Sequence, residues 1–244
     1  MNRESEPLVR PLGGLARVVI LGLGLGAIVS GVSMVLEAHQ VDLLNRIDQG
    51  TDVDLEALFN TDDRLSHTDL AQIVLFVATA VVFVVWFHRA YANLPRLGAA
   101  SLRFGPGWAI GGWFVPILSF WRPKQIANDI WRASDPDAPA TVGTAWREEP
   151  VAALLHWWWA AWLVSVLLGR AASSADSDAS TVADQVNAAY TLILSDGCDL
   201  VAALLAAVVV WRLSRRQDER ARRLRAAESL RGPGGRRPGD DRAG

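Results

Sequence analysis

Four stretches of this chain, 18–36, 70–87, 151–169 and 188–213, are apolar almost throughout. Each is about 18 to 26 residues long, enough for a helix rising ~1.5 Å per residue to cross a hydrocarbon layer of ~30 Å. Inside lipid no water satisfies a backbone amide, so such runs must fold as helices. A chain patterned this way is neither a soluble enzyme, a disordered protein nor a disulfide scaffold. Its one cysteine, Cys198, also excludes an intrachain disulfide and a Cys-x-x-Cys motif. The first run follows Arg3, Arg10 and Arg17, as a secretory signal would. It exceeds the roughly 7–15 apolar residues of such signals and ends without a small-x-small site, so it is read as a retained helix.

A fifth apolar patch, 108–120, breaks the pattern. It holds about 13 residues, is interrupted by Pro116, and as a helix would reach only about 20 Å. Charge decides its place. Of the 24 basic residues, 21 lie in 1–17, 88–150 and 212–244, and three in 37–69 and 170–189. Basic segments stay on the cytoplasmic side, so four crossings with both termini inside satisfy the bias. A fifth crossing at 108–120 would carry Arg122, Lys124, Arg132 and Arg147 to the other side.

The sequence therefore predicts an all-α integral protein of the plasma membrane, in three parts. Residues 1–17 are a cytoplasmic N-terminus and 18–213 a four-helix transmembrane domain. Within that domain, 106–133 form a re-entrant or interfacial Trp-rich segment. Residues 214–244 are a basic cytoplasmic tail, disordered at its end. Pro123 suits a helix start. The helix it opens places Ile126, Ala127, Ile130 and Trp131 on one face, opposite Lys124, Gln125, Asn128 and Asp129, as an amphipathic interfacial helix would. Segment 37–69 reads as an acidic outer loop with one short surface helix at Leu55, Leu58 and Phe59.

Asp196 and Asp199 carry the sharpest chemical signal, because carboxylates at i and i+3 share one side of a helix. Counted from Ala188 they lie roughly 12 and 16 Å into the membrane. A carboxylate there is protonated, paired or wet. The pair is read either as a proton or cation site, with His156 and Arg170 as partners, or as structural acceptors of hydrogen bonds. Gly22, Gly26 and Ser30 share a face suited to close helix packing. The histidines show no metal-ligand spacing, and neither a metal nor a cofactor is expected. Seven arginines between Arg212 and Arg225 continue the last helix into the cytoplasm and suit anchoring at the inner face or contact with anionic lipid. No aromatic interleaving supports nucleic-acid binding.

The run from His88 through Arg89, Asn93 and Gly98 continues into Pro106 and Trp108. It goes on through Trp113, Pro116, Trp121, Arg122 and Pro123 to Trp131. This run resembles the bacterial membrane proteins grouped as domain of unknown function 4328. The diagnostic part covers about residues 86–134, and the remainder matches as hydrophobic layout. The resemblance implies a membrane location and a shared surface at Arg89, Asn93, Gly98, Pro106, Trp108, Trp113, Pro116, Trp121, Arg122, Pro123 and Trp131, but no substrate. The expected role is a non-enzymatic accessory or scaffold whose inner face meets lipid, a membrane or cytoplasmic protein partner, or a second copy of the chain. The alternative is a small ion- or proton-coupled transporter or channel using the intramembrane carboxylates. An enzyme is the weakest reading, since no Ser/His/Asp set, metal cluster or phosphate loop is seen.

Overall fold

The computed structural model describes residues 9–50, 55–138 and 144–231. Among them the fold is all-α: six helices, α1 (Gly13–Asp48), α2 (Leu55–Ala92), α3 (Trp108–Phe114), α4 (Arg122–Ala133), α5 (Ala153–Asp178) and α6 (Val182–Arg231), with short 3-10 turns between some of them. Gly13–Asp48, Leu70–Ala92 and Val182–Ala227 are long and apolar enough to cross a membrane, with mean hydropathy of 2.3, 2.6 and 2.1 over their most apolar windows. The chain is thus a membrane protein by length and composition. Helix α5 has 26 residues, long enough in extent, but His156, four tryptophans and the polar residues from Arg170 onward dilute its hydropathy.

The long helices pack in the order α2, α1, α6, α5. Small residues set the spacing where the backbones come closest. A Cβ added at Gly22 of α1 would collide with the Thr79 hydroxyl of α2, whereas one at Gly26 would meet nothing. Of the expected small-residue face, Gly22 is the contact that matters, and Ser30 is buried on the same side.

One sequence expectation needs correction. The segment 37–69 is not a loop with a short helix: α1 continues to Asp48 and α2 begins at Leu55, so both helices run on past their apolar stretches. Gly50, at φ 70°, provides the left-handed turn after α1. As the arginines that continue the last helix imply, α6 runs on past residue 213 to Arg231, and its basic part packs on the bundle. Residues 232–244, where disorder is expected, lie outside the described residues. At its other end α6 opens with a reciprocal cap: Asp184 accepts from the Thr181 N–H at 3.0 Å, and Thr181 Oγ1 accepts from the Asp184 N–H at 3.1 Å.

The core sits at one end of the bundle. There the start of α1, the end of α2, α3, α4, the start of α5 and the second half of α6 bury a continuous cluster that includes Leu12, Trp86, Phe87, Ile126, Trp158 and Leu213.

Candidate functional site

That packed end is where the expected surface residues gather. Asn93, fully buried just after α2, pairs with the backbone of the N-terminal segment. Its Oδ1 accepts from the Arg10 N–H at 3.1 Å, and its Nδ2 donates to the Arg10 carbonyl at 2.9 Å and to Gln217 Oε1 at 3.3 Å. Gln217 of α6 donates in turn to the Ala90 carbonyl at 2.8 Å, and Trp86 Nε1 donates to Ser214 Oγ at 3.0 Å. One amide therefore ties the chain near its N-terminus to α2 and to α6. Arg89 reaches the Pro11 carbonyl at 3.4 Å. The turn that follows closes on Gly98 at φ 93°, a left-handed position that glycine adopts without strain.

A short aromatic wedge comes next. His88 Nδ1 lies 3.0 Å from the Pro106 carbonyl, at the entry to α3. Trp113 sits edge-on to Phe83 and Phe87 of α2, at centroid distances of 5.5 and 5.8 Å, and to Trp159 and Trp162 of α5, at 6.1 and 5.6 Å. Such pairs contribute about 0.5–1.5 kcal/mol each beyond burial. Trp159 Nε1 donates at 3.1 Å to the Phe120 carbonyl, one of the backbone groups a proline-broken segment leaves without a helical partner. A Cβ at Gly112 would fall 2.9 Å from Arg122 Cγ, so glycine lets α3 fold back against the start of α4. The Arg122 guanidinium lies 4.1 Å above the Phe104 ring and 5.4 Å from Trp108. Pro116 turns the wedge, its carbonyl accepting from Ser119 Oγ at 2.7 Å. The outer side is apolar: Phe114 is 73% and Ile117 69% exposed.

Helix α4 begins at the half-exposed Trp121 with Pro123 in its first turn, and buries Ile126, Ala127 and Ile130 completely. The expected amphipathic helix is present, with one correction. Asp129, placed on its polar face by spacing, has no exposed surface. Arg103 Nε lies 3.3 Å away, yet neither carboxylate oxygen receives a well-aligned hydrogen bond. Burial raises Asp129 to about 6 against the opposing pull of Arg103, Arg132 and Arg147. Spacing alone could not find this group, because the segment carrying Arg103 folds over what a lone helix would leave open.

Two of the seven tail arginines are turned inward. Arg216 stacks 4.4 Å from the Trp131 ring, donates to the Trp131 carbonyl at 3.2 Å and pairs with Asp135 at 3.0 Å. Arg220, 1% exposed, donates to the carbonyls of Leu97, Asp135 and Ala138 at 2.9, 2.7 and 2.9 Å. Both act as cross-links between α6 and the segments around α4.

The two carboxylates of α6 have different surroundings. Asp196 Oδ2 lies 3.4 Å from Gln72 Nε2 of α2, which also donates to Ser33 Oγ at 3.1 Å and approaches Ser30 Oγ at 3.4 Å. Asp199 is exposed on the flank next to α5, beside Ser165. His156 and Arg170 are exposed on α5. Along their helices Asp196, Gln72 and Ser33 each lie about 24–26 Å from the basic residues Arg212, Arg89 and Arg17, so this polar group belongs to the far part of the bundle. Spacing marks Ser30 only as a packing position and does not mark Gln72 or Ser33, since a lone amide or hydroxyl in an apolar run has no spacing to detect.

The family described as Domain of unknown function (DUF4328) matches residues 49–215, a stretch that holds the whole wedge and both carboxylates but not α1. No curated protein and no solved structure matches the chain.

Proposed function

The chain belongs to the DUF4328 family, and from that premise we propose a four-span plasma-membrane scaffold, both termini cytoplasmic, that acts by holding lipid or a partner protein at its inner face rather than by catalysis. One observation carries this reading. Asn93 bonds both to Arg10 and to Gln217, so the segment before α1 and the later part of α6 meet at the same end of the bundle. That arrangement supports an even number of crossings, with α5 as the fourth. The basic residues cluster at that end, as the charge bias asks of a cytoplasmic face. The expected surface residues serve mainly to build the end: Asn93, Trp113 and Pro123 point inward, while Trp108, Trp121 and the apolar tip of the wedge stay accessible. A wedge with so apolar an outer side belongs within or against the inner leaflet.

Reporter fusions at Ala138 and at the C-terminus test the topology. Both should report cytoplasm, and a reporter at Ala138 facing the other side would overturn the four-span arrangement. If a partner docks on the inner face, Trp121→Ala should release it from the purified complex while the fold survives.

The contact of Gln72 with Asp196 and its bond to Ser33 favour a second reading, a proton or cation relay. Proton flux in reconstituted vesicles, abolished by Asp196→Asn together with Asp199→Asn, would support it. Flux left unchanged by the double substitution would end it.

A further inference from the structure

Arg122 opens α4 at the rim of the apolar wedge, half-buried. Its stem lies against α3, so close that a Cβ at Gly112 would fall 2.9 Å from Cγ. The guanidinium faces two rings, Phe104 at 4.1 Å and Trp108 at 5.4 Å, and Nη1 donates to Gln125 Oε1 at 3.4 Å. Among the described residues no carboxylate forms an ion pair with it. Nε is sealed from solvent without an acceptor, and Nη2 donates to none of the described residues. Aromatic faces attract a cation but leave its N–H groups without oxygen acceptors, so the rings hold this group in place without neutralising it. Of five N–H donors in one plane, a single long bond uses one. A planar cation held this way suits an anion that can take several donors at once.

What borders the guanidinium selects the anion. The turn between α3 and α4 packs on both helices. Along this stretch Phe114, Ile117 and Phe120 are exposed, and so is Trp121, directly before Arg122. A cationic fork beside an open apolar surface is amphiphilic, and so is a phospholipid, with hydrocarbon chains behind its phosphate. A soluble phosphate would use the fork and leave the apolar border in water. We propose that Arg122, held between Phe104 and Trp108, binds the phosphate of an anionic phospholipid whose acyl chains lie along Phe114, Ile117 and Phe120. The site deepens the reading of this end as a face that holds lipid, and rests on it. A zwitterionic headgroup brings a second cation beside the guanidinium, so phosphatidylglycerol is preferred to phosphatidylcholine.

Native mass spectrometry of the full chain, released from nonionic detergent after titration with dioleoyl phosphatidylglycerol or phosphatidylcholine, tests the site. One phosphatidylglycerol should bind saturably, about fivefold more tightly than phosphatidylcholine. Arg122→Gln should weaken it roughly tenfold, and Arg122→Lys, which keeps the charge but loses the planar fork, should fall between. Parental affinity in an Arg122→Gln chain that melts as the parent does would overturn the site. Displacement of the lipid by inorganic phosphate at millimolar concentration would overturn the lipid assignment in favour of a soluble phosphate. If Arg122→Gln does not fold, the unsubstituted chain decides: binding that never saturates, or that shows no preference for phosphatidylglycerol, overturns the site. Labelling with a membrane-impermeant maleimide in vesicles, in a Cys198→Ala background, separates this failure from that of the underlying reading. Ile117→Cys shielded, with Arg122→Gln binding like the parent, means that lipid covers this end without using the fork. Ile117→Cys as reactive as Ala100→Cys means that no lipid covers the wedge, and both fall.

Discussion

Within the single helix α2, Trp86, Phe87, Ala90 and Tyr91 have no exposed surface, while Ile73, Val74 and Phe76, earlier in the same helix, are 61–70% exposed. The chemistry of the side chains is alike in both places, but the solvent is not. In the apolar part lipid covers the outward residues, and exposure there carries no penalty of the kind water imposes. At the packed end the backbone turns repeatedly, and every amide and carbonyl released from a helix needs a named partner. Stability should therefore be concentrated in a few directional contacts at one end and spread thinly over the other.

The largest test of that contrast is Arg220→Met. Methionine fills much of the space but leaves the carbonyls of Leu97, Asp135 and Ala138 without their donor. Leaving a buried carbonyl unpaired costs about 1–3 kcal/mol. Leu25→Ala, at a position 54% exposed on α1, should cost well under that. Thermal unfolding in detergent compares the two. Equal melting temperatures would mean that the packed end is not where stability resides.

A smaller and pH-dependent effect is expected at Asp129. Its carboxyl is raised from an ordinary 3.8 to about 6. Between these values the folded chain keeps a proton that the unfolded chain has lost. Stability from this group is therefore present at low pH and declines as pH rises through about 4 to 6, by at most about 3 kcal/mol. Asp129→Asn should remove that decline and leave the variant no less stable than the parent at neutral pH, because Arg103 is partly exposed and can be hydrated. Melting temperatures across pH 4 to 8 decide the matter. Parallel curves for parent and variant would assign the pH dependence to another group.

The same contrast explains what could be read from the amino-acid sequence. The apolar stretches could be, because a membrane-crossing helix is specified by composition over a length. So could the start of α4 at Pro123 and the break at Pro116, since proline acts locally. So could the continuation of the last helix through its arginines, but the extension of α1 to Asp48 could not. Acidic surface on a helix that outruns the bilayer looks, residue by residue, like a charged loop. Gln217 and Arg220 look equally like solvated charge and amide until α4 and the turn at Leu94–Leu97 are brought against them. Asp129 was misplaced for the same reason: its burial depends on Arg103, 26 positions away in the chain, and periodicity within one helix does not contain that information.

The smallest effect on stability is expected at the tip of the wedge, where the contrast between the two solvents can be measured most directly. Ile117 is 69% exposed and makes no hydrogen bond through its side chain. Ile117→Cys, in a Cys198→Ala background, should change stability by no more than about 0.5 kcal/mol. Its reaction with a membrane-impermeant maleimide should nevertheless be far slower in vesicles than that of Ala100→Cys, which lies on the exposed segment before α3. Both positions are exposed on the protein itself, so slow reaction at the wedge points to lipid over it. Equal rates would put the wedge in water, where an apolar tip of this kind needs a protein to cover it. The inner-leaflet placement would then give way to an exposed docking surface.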